Sequence, residues 1–109
     1  MAFSLGGFME IRSKGTWHFV TADEDKAKRL IDFCNDAKVR LFAYSKHVYE
    51  TDRSHWHFLF LFYRPKTLHE IAVLSNTAVS DPGLTKGSFV DHFNYLRSRG
   101  TVITNYNKR

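Results

Sequence analysis

Two histidines one residue apart, His55 and His57, head the most apolar run of the chain, Trp56 to Phe62. In an extended strand alternate side chains leave on opposite faces. His55 and His57 therefore share a face with Leu59 and Leu61, while Trp56, Phe58, Phe60 and Phe62 take the other. Two imidazoles side by side on a strand are half of a metal site. They are equally well read as partly buried strand residues with hydrogen bonds, and at this spacing the two readings stand about level. Upstream lie two further groups able to bind a metal, His47 and Glu50, with Lys46 beside them. Downstream, His92, Tyr95 and Arg99 fall at i, i+3 and i+7, one polar stripe of a helix. A phenol held near a polarised phosphate can attack phosphorus and hold it covalently. Tyr44 and Tyr49 are rivals for that role, and His18 and His92 are rival ligands. His18, between Trp17 and Phe19, reads as structural.

Positioning these groups takes strands and capped helices. Residues 1–15 read as a loose arm or an edge strand. Thr16 to Val20 is β-branched and aromatic and suggests a first strand. Thr21 and Glu24 match a capping box, and Ala27, Leu30, Ile31 and Cys34 follow at helical spacing, giving a helix over 22–36. Val39 to Ser45 is a second strand. The connection 46–53 is short and polar, so the two strands form an antiparallel hairpin. It brings His47 and Glu50 near the start of the His55 strand. Thr67 and Glu70 cap a second helix whose inward face is Leu68, Ile71, Ala72 and Ser75. Residues 75–87 are turn-rich, with room for a short fourth strand. Ser88 and Asp91 cap a third helix with Phe89, Phe93 and Leu96 buried, and Gly100 closes it. Residues 101–104 suit a last strand, and the tail from Asn105 reads as frayed. The expected fold is α+β: a central antiparallel sheet of four or five strands, ferredoxin-like or RNA-recognition-like. Its first two helices lie on one face, and the Tyr95 helix closes over the histidine face.

Composition narrows the class. The 109 residues suit one domain spanning 1–109. A net charge of +5 suits a polyanionic partner. The single cysteine, Cys34, excludes an internal disulfide and a cysteine-based zinc site, and it reads as a core residue. No run is long and apolar enough to cross a membrane, and no secretory signal is visible at the start. Gly83 to Ser88 lacks the spacing of a phosphate-binding loop, which removes the ATPases that use one.

The order of these elements carries a resemblance. Ser45-Lys46-His47-Val48-Tyr49-Glu50, then His55-Trp56-His57 heading an apolar strand, then Tyr95-Leu96-Arg97-Ser98 on a late helix resembles the HUH endonucleases. Among these it resembles the replication initiators (Rep proteins) of rolling-circle plasmids and small single-stranded DNA viruses. The likeness spans residues 16 to about 100. It departs in the short gap between Glu50 and His55 and in having Ser98 where many viral members have lysine.

The resemblance implies a nickase that cuts and rejoins single-stranded DNA at a replication origin. Tyr95 would be the nucleophile, leaving a 5′-phosphotyrosine link and a free 3′-hydroxyl. His55 and His57 would hold a divalent metal, Mn²⁺ or Mg²⁺, with Glu50 or His47 as the third ligand. Lys46, Arg97 and Arg99 would contact neighbouring phosphates. It further implies a helicase partner, as another domain or a host protein. The setting would be intracellular: bacterial cytoplasm for a plasmid or phage, host nucleus for a eukaryotic virus. Three other readings suit the same residues. One is a non-catalytic single-stranded nucleic-acid-binding module with aromatics on its sheet. The others are a metal-dependent hydrolase using bound water, and a basic interaction domain.

Overall fold

A computed structural model describes residues 13–48, 54–78, 80–85 and 87–106. Five strands and three helices alternate along the chain. They are β1 (Trp17–Thr21), α1 (Glu24–Phe33), β2 (Val39–Val48), β3 (Ser54–Phe62), α2 (Leu68–Ser75), β4 (Gly83–Leu84), α3 (Phe89–Ser98) and β5 (Ile103–Thr104). The strands form one antiparallel sheet in the order β4-β1-β3-β2-β5. The apolar run is thus the central strand, flanked by β1 and β2. This is the α+β architecture expected from the sequence.

The period-two pattern of β3 sorts the core into two. Phe58, Phe60 and Phe62 pack with Phe19 of β1 and with Ala27, Leu30, Phe33 and Ile71 from α1 and α2. Leu59 and Ala43 pack beneath Phe89, Phe93 and Leu96 of α3. Each face of the sheet therefore has its own apolar cover, and α3 lies alone on the face that carries His55 and His57. No helix among the described residues is long and apolar enough to cross a membrane.

The caps on α2 and α3 are those expected: Thr67 with Glu70, and Ser88 with Asp91, each pair exchanging side chain-to-backbone hydrogen bonds. The cap of α1 differs. Thr21 pairs with Trp56 as the last residue of β1, so it stays extended. Its hydroxyl accepts from the Asp23 amide at 3.0 Å, and Asp23 is the N-cap, accepting from the amides of Asp25 and Lys26. The helix runs Glu24–Phe33 rather than over 22–36. Cys34 follows it as a buried free thiol donating to the Leu30 carbonyl, and burial pushes its pKa up to about 12.

Three other segments are placed differently from, or more closely than, the expectation. Strand β2 continues through Val48, so Lys46 and His47 belong to the sheet and not to the connection. The fourth strand exists as the two residues of β4. The start of the C-terminal tail is held in place: the Asn105 side chain accepts from the Phe42 amide and donates to the Arg40 carbonyl, continuing the edge of β2. Tyr106 packs edge-on against Phe89 and Phe93. At the other end Ser13 bridges to Lys66. The rest of the proposed N-terminal arm, residues 1–12, and the tail residues 107–109 lie outside the described residues.

Candidate metal centre and tyrosine cleft

Register brings three imidazoles together. His47 on β2 stands directly opposite His55 on β3, and Ser45 stands opposite His57. Cross-strand partners share a face, so His47 joins the His55–His57 pair. Ring centroids are 4.3 Å apart for His47–His57 and 4.8 Å for His55–His57. One ring nitrogen from each of the three lies within 4.8 Å of the other two.

The donor set fits a divalent transition metal. Bonds of about 2.0–2.1 Å hold any two ligand nitrogens within about 4.2 Å, so a small ring rotation closes the set. The burial is informative as well. The Nε2 atoms of His47 and His57 are buried without a hydrogen-bond partner. A buried polar atom left unpaired costs about 1–3 kcal/mol, and a metal ion would use both lone pairs. Burial lowers the pKa of His57 to about 4, and the neighbouring His47, His55 and His18 rings and Arg99 push the same way. Burial, then His55 and Arg99, also lower that of His47. Both rings are therefore neutral near pH 7, the form that binds metal. Three imidazoles favour Mn²⁺, Co²⁺ or Zn²⁺ over Mg²⁺, which prefers oxygen ligands. Glu50, the other candidate third ligand, and the rival Tyr49 lie outside the described residues.

Tyr95 stands on α3 above the same face. Its side chain is 52% exposed, unlike the buried Phe89, Phe93 and Leu96 of the same helix. The Arg99 guanidinium lies 5.2 Å from its ring centroid. Arg99 thus lies beside the Tyr95 ring, and its charge opposes protonation of His47 and His57. His57 and Tyr95 line one cleft of about 390 Å³ between β1, β4 and α3.

No family model matches the chain, and no curated protein matches it in sequence. The reading of the site therefore rests on its own geometry.

Two expected phosphate contacts are not brought to the cleft. Lys46 neighbours His47 on a strand, so it leaves on the opposite face. There its ammonium is 3.5 Å from Glu24 and lies over the Trp56 ring. Glu24 also accepts a hydrogen bond from Trp56 Nε1 at 3.0 Å. Arg97 lines a separate hollow with Thr101 and Thr104 beside β5. Of the three cations, Arg99 alone is placed at the imidazole face. Tyr44 packs with Trp56 and Phe58 on the α1 side, away from the imidazoles.

His18 is where the sequence said least. It pairs across from Leu59, so it faces the same side as His57 and lines the cleft. Its Nδ1 is 3.1 Å from the Gly83 carbonyl. The signal was present: Trp17 and Phe19 are buried on one face of β1, which turns His18 and Val20 to the other.

Proposed function

We propose that this protein is a metal-dependent endonuclease that nicks and rejoins single-stranded DNA through a tyrosine, as the replication initiators it resembles do. One observation carries the reading. Three imidazoles, two of them with buried unpaired nitrogens, adjoin a cleft that also holds a half-exposed tyrosine and lies close to an arginine.

Each group has a task. His47, His55 and His57 would hold a divalent cation, which when bound draws charge from the phosphate oxygens. Tyr95 attacks phosphorus. Its phenolic proton leaves, the P–O3′ bond breaks, and the 3′ oxygen takes up a proton. The DNA keeps a free 3′-hydroxyl, and its 5′-phosphate is esterified to the tyrosine. The ester retains the bond for later joining to another 3′-hydroxyl. Arg99 offers a planar donor set to a phosphate beside the phenol. The role at a replication origin, and a helicase partner, follow from the resemblance.

The binding-module alternative requires aromatics presented on an open sheet. Here Phe58 and Phe60 are wholly buried beneath α1 and α2, and α3 covers much of the other face. That arrangement favours chemistry at the cleft over base stacking across the sheet.

The test is to incubate the protein with mixed single-stranded oligonucleotides and Mn²⁺ and resolve it on a denaturing gel. A DNA-linked protein band is expected, absent with EDTA, with the nucleotide located on Tyr95 by mass spectrometry. Cleavage without any adduct would point instead to a hydrolase using metal-bound water. No cleavage with any divalent metal would overturn the reading.

A further inference from the structure

Six large apolar side chains among the described residues are markedly exposed, and two of them, Val20 on β1 and Tyr95 on α3, line the cleft beside the imidazoles. Val20 is 49% exposed, whereas Leu84 pairs with Trp17 and turns its side chain to the other face of the sheet. Apolar surface gathered in one concavity signals a ligand rather than chance exposure. Leu59 and Leu96 complete the apolar walls.

The polar residues of the lining are His18, His57, Thr85 and His92. His57 closes the end nearest the proposed metal. His18 stands on the β1 wall, and its Nδ1 must donate to the Gly83 carbonyl, because a carbonyl only accepts. In the neutral ring the remaining nitrogen, Nε2, is then an acceptor. Apolar surface on the β1 and α3 sides with an acceptor oriented between them suits a flat heteroaromatic ring carrying N–H groups. The cleft volume of about 390 Å³ lies at the small end of ligand sites.

We propose that this cleft is a base pocket, taking one unpaired nucleobase of a single-stranded DNA next to the phosphate that Tyr95 attacks. The proposal rests on the single-stranded DNA reading above and adds to it a source of sequence preference. The base lies between Val20 of β1 and Leu96 of α3, with an N–H directed at His18. Its sugar–phosphate faces outward, toward Tyr95 and Arg99. An enzyme that reads a base in a closed pocket must draw it from its stack, which favours single strands over duplex.

The experiment uses the full chain in EDTA, where binding proceeds without cutting. Protein is used to select from a randomised single-stranded DNA library, and the best sequence is then scanned with an abasic nucleotide at each position. One position is expected to dominate, with its abasic form weakening binding about tenfold. Val20→Trp, which fills the cleft from an exposed site on β1, should weaken the parent sequence by a similar factor and abolish the extra cost of the abasic nucleotide. Val20→Phe fills the same wall with a smaller ring and serves if Val20→Trp lowers the melting temperature substantially. Equal loss at every position, or filled variants that still sense the abasic site, would overturn the pocket. Failure to retain any single strand would overturn it together with the DNA reading. A protein that shows the single position in EDTA but forms no adduct with Mn²⁺ would keep the pocket and remove the nuclease. One that forms the adduct with no such position would remove the pocket alone.

Discussion

At His57 the ring is buried with its Nε2 unpaired, and this sets a pH dependence. Its folded pKa of about 4 lies below the ordinary 6.5. Between those values the unfolded chain binds a proton that the folded chain refuses, so stability falls as pH drops from 6.5 to 4 and the loss levels off below. His47 shifts in the same direction. The depressed carboxyls of Asp23 and Glu24 act only at lower pH, below their unfolded values of 3.8 and 4.5. The melting temperature of the metal-free protein should therefore already decline between pH 6.5 and 5. A His57→Phe variant should decline less over that interval, and an unchanged slope would contradict the account. Tyr95 behaves oppositely. It is half exposed, so Tyr95→Phe should shift stability by no more than about 0.5 kcal/mol. The same change should leave DNA retention nearly intact and remove the covalent adduct altogether, because no neighbouring hydroxyl can replace that oxygen. An adduct formed by Tyr95→Phe would move the nucleophile elsewhere.

Elements decide which of these residues meet, and here the sequence was legible in unequal parts. Period two put His55 and His57 on one face, and hairpin pairing brought His47 to them. The same rule turns Lys46 away; it went unapplied because residues 46–53 read as connection, polar as they are. Asp23 took the cap from Thr21 because strand pairing with Trp56 outranks a local capping pattern. The order in Asn105 depends on carbonyl and amide groups of β2 about sixty residues earlier, which no local window contains. Helix α3 was readable in full, caps and faces alike, since its pattern is local and periodic. Its docking is testable. Phe93 is 4% exposed and packs against Phe89 and Tyr106. Phe93→Ala should cost about 3–5 kcal/mol in urea unfolding. If the variant remains folded, adduct formation should fall far more than metal binding, because the imidazoles belong to other elements. Equal losses would mean that α3 also shapes the metal centre.

For the whole molecule, charge and layering act together. The net charge is +5, and both faces of the sheet are occupied by helices. On the proposed reading a long strand of DNA would follow the outside of the fold, held by cations such as Arg99 near the cleft. Binding of single-stranded DNA in EDTA should weaken as salt rises, with a slope of about −0.7 per phosphate contacted. Removing Arg99 as Arg99→Gln should flatten that slope by about one such unit, whereas Lys46→Gln should leave it unchanged, its ammonium being paired with Glu24 on the far face. An equal effect of the two substitutions would mean that the strand wraps both sides.

The three imidazoles lie within eleven consecutive positions, 47 to 57, on one hairpin. Contacts so close along the chain need little loop closure and can form before β1, β4 and α3 are in place. The consequence concerns folding order. A metal bound by this hairpin would reward a structure present in the transition state, so Mn²⁺ or Zn²⁺ should raise the refolding rate and not merely slow unfolding. Stopped-flow refolding with and without metal reads this directly. The half of the centre that grips a cation would then assemble first, and the tyrosine would arrive on a framework already set.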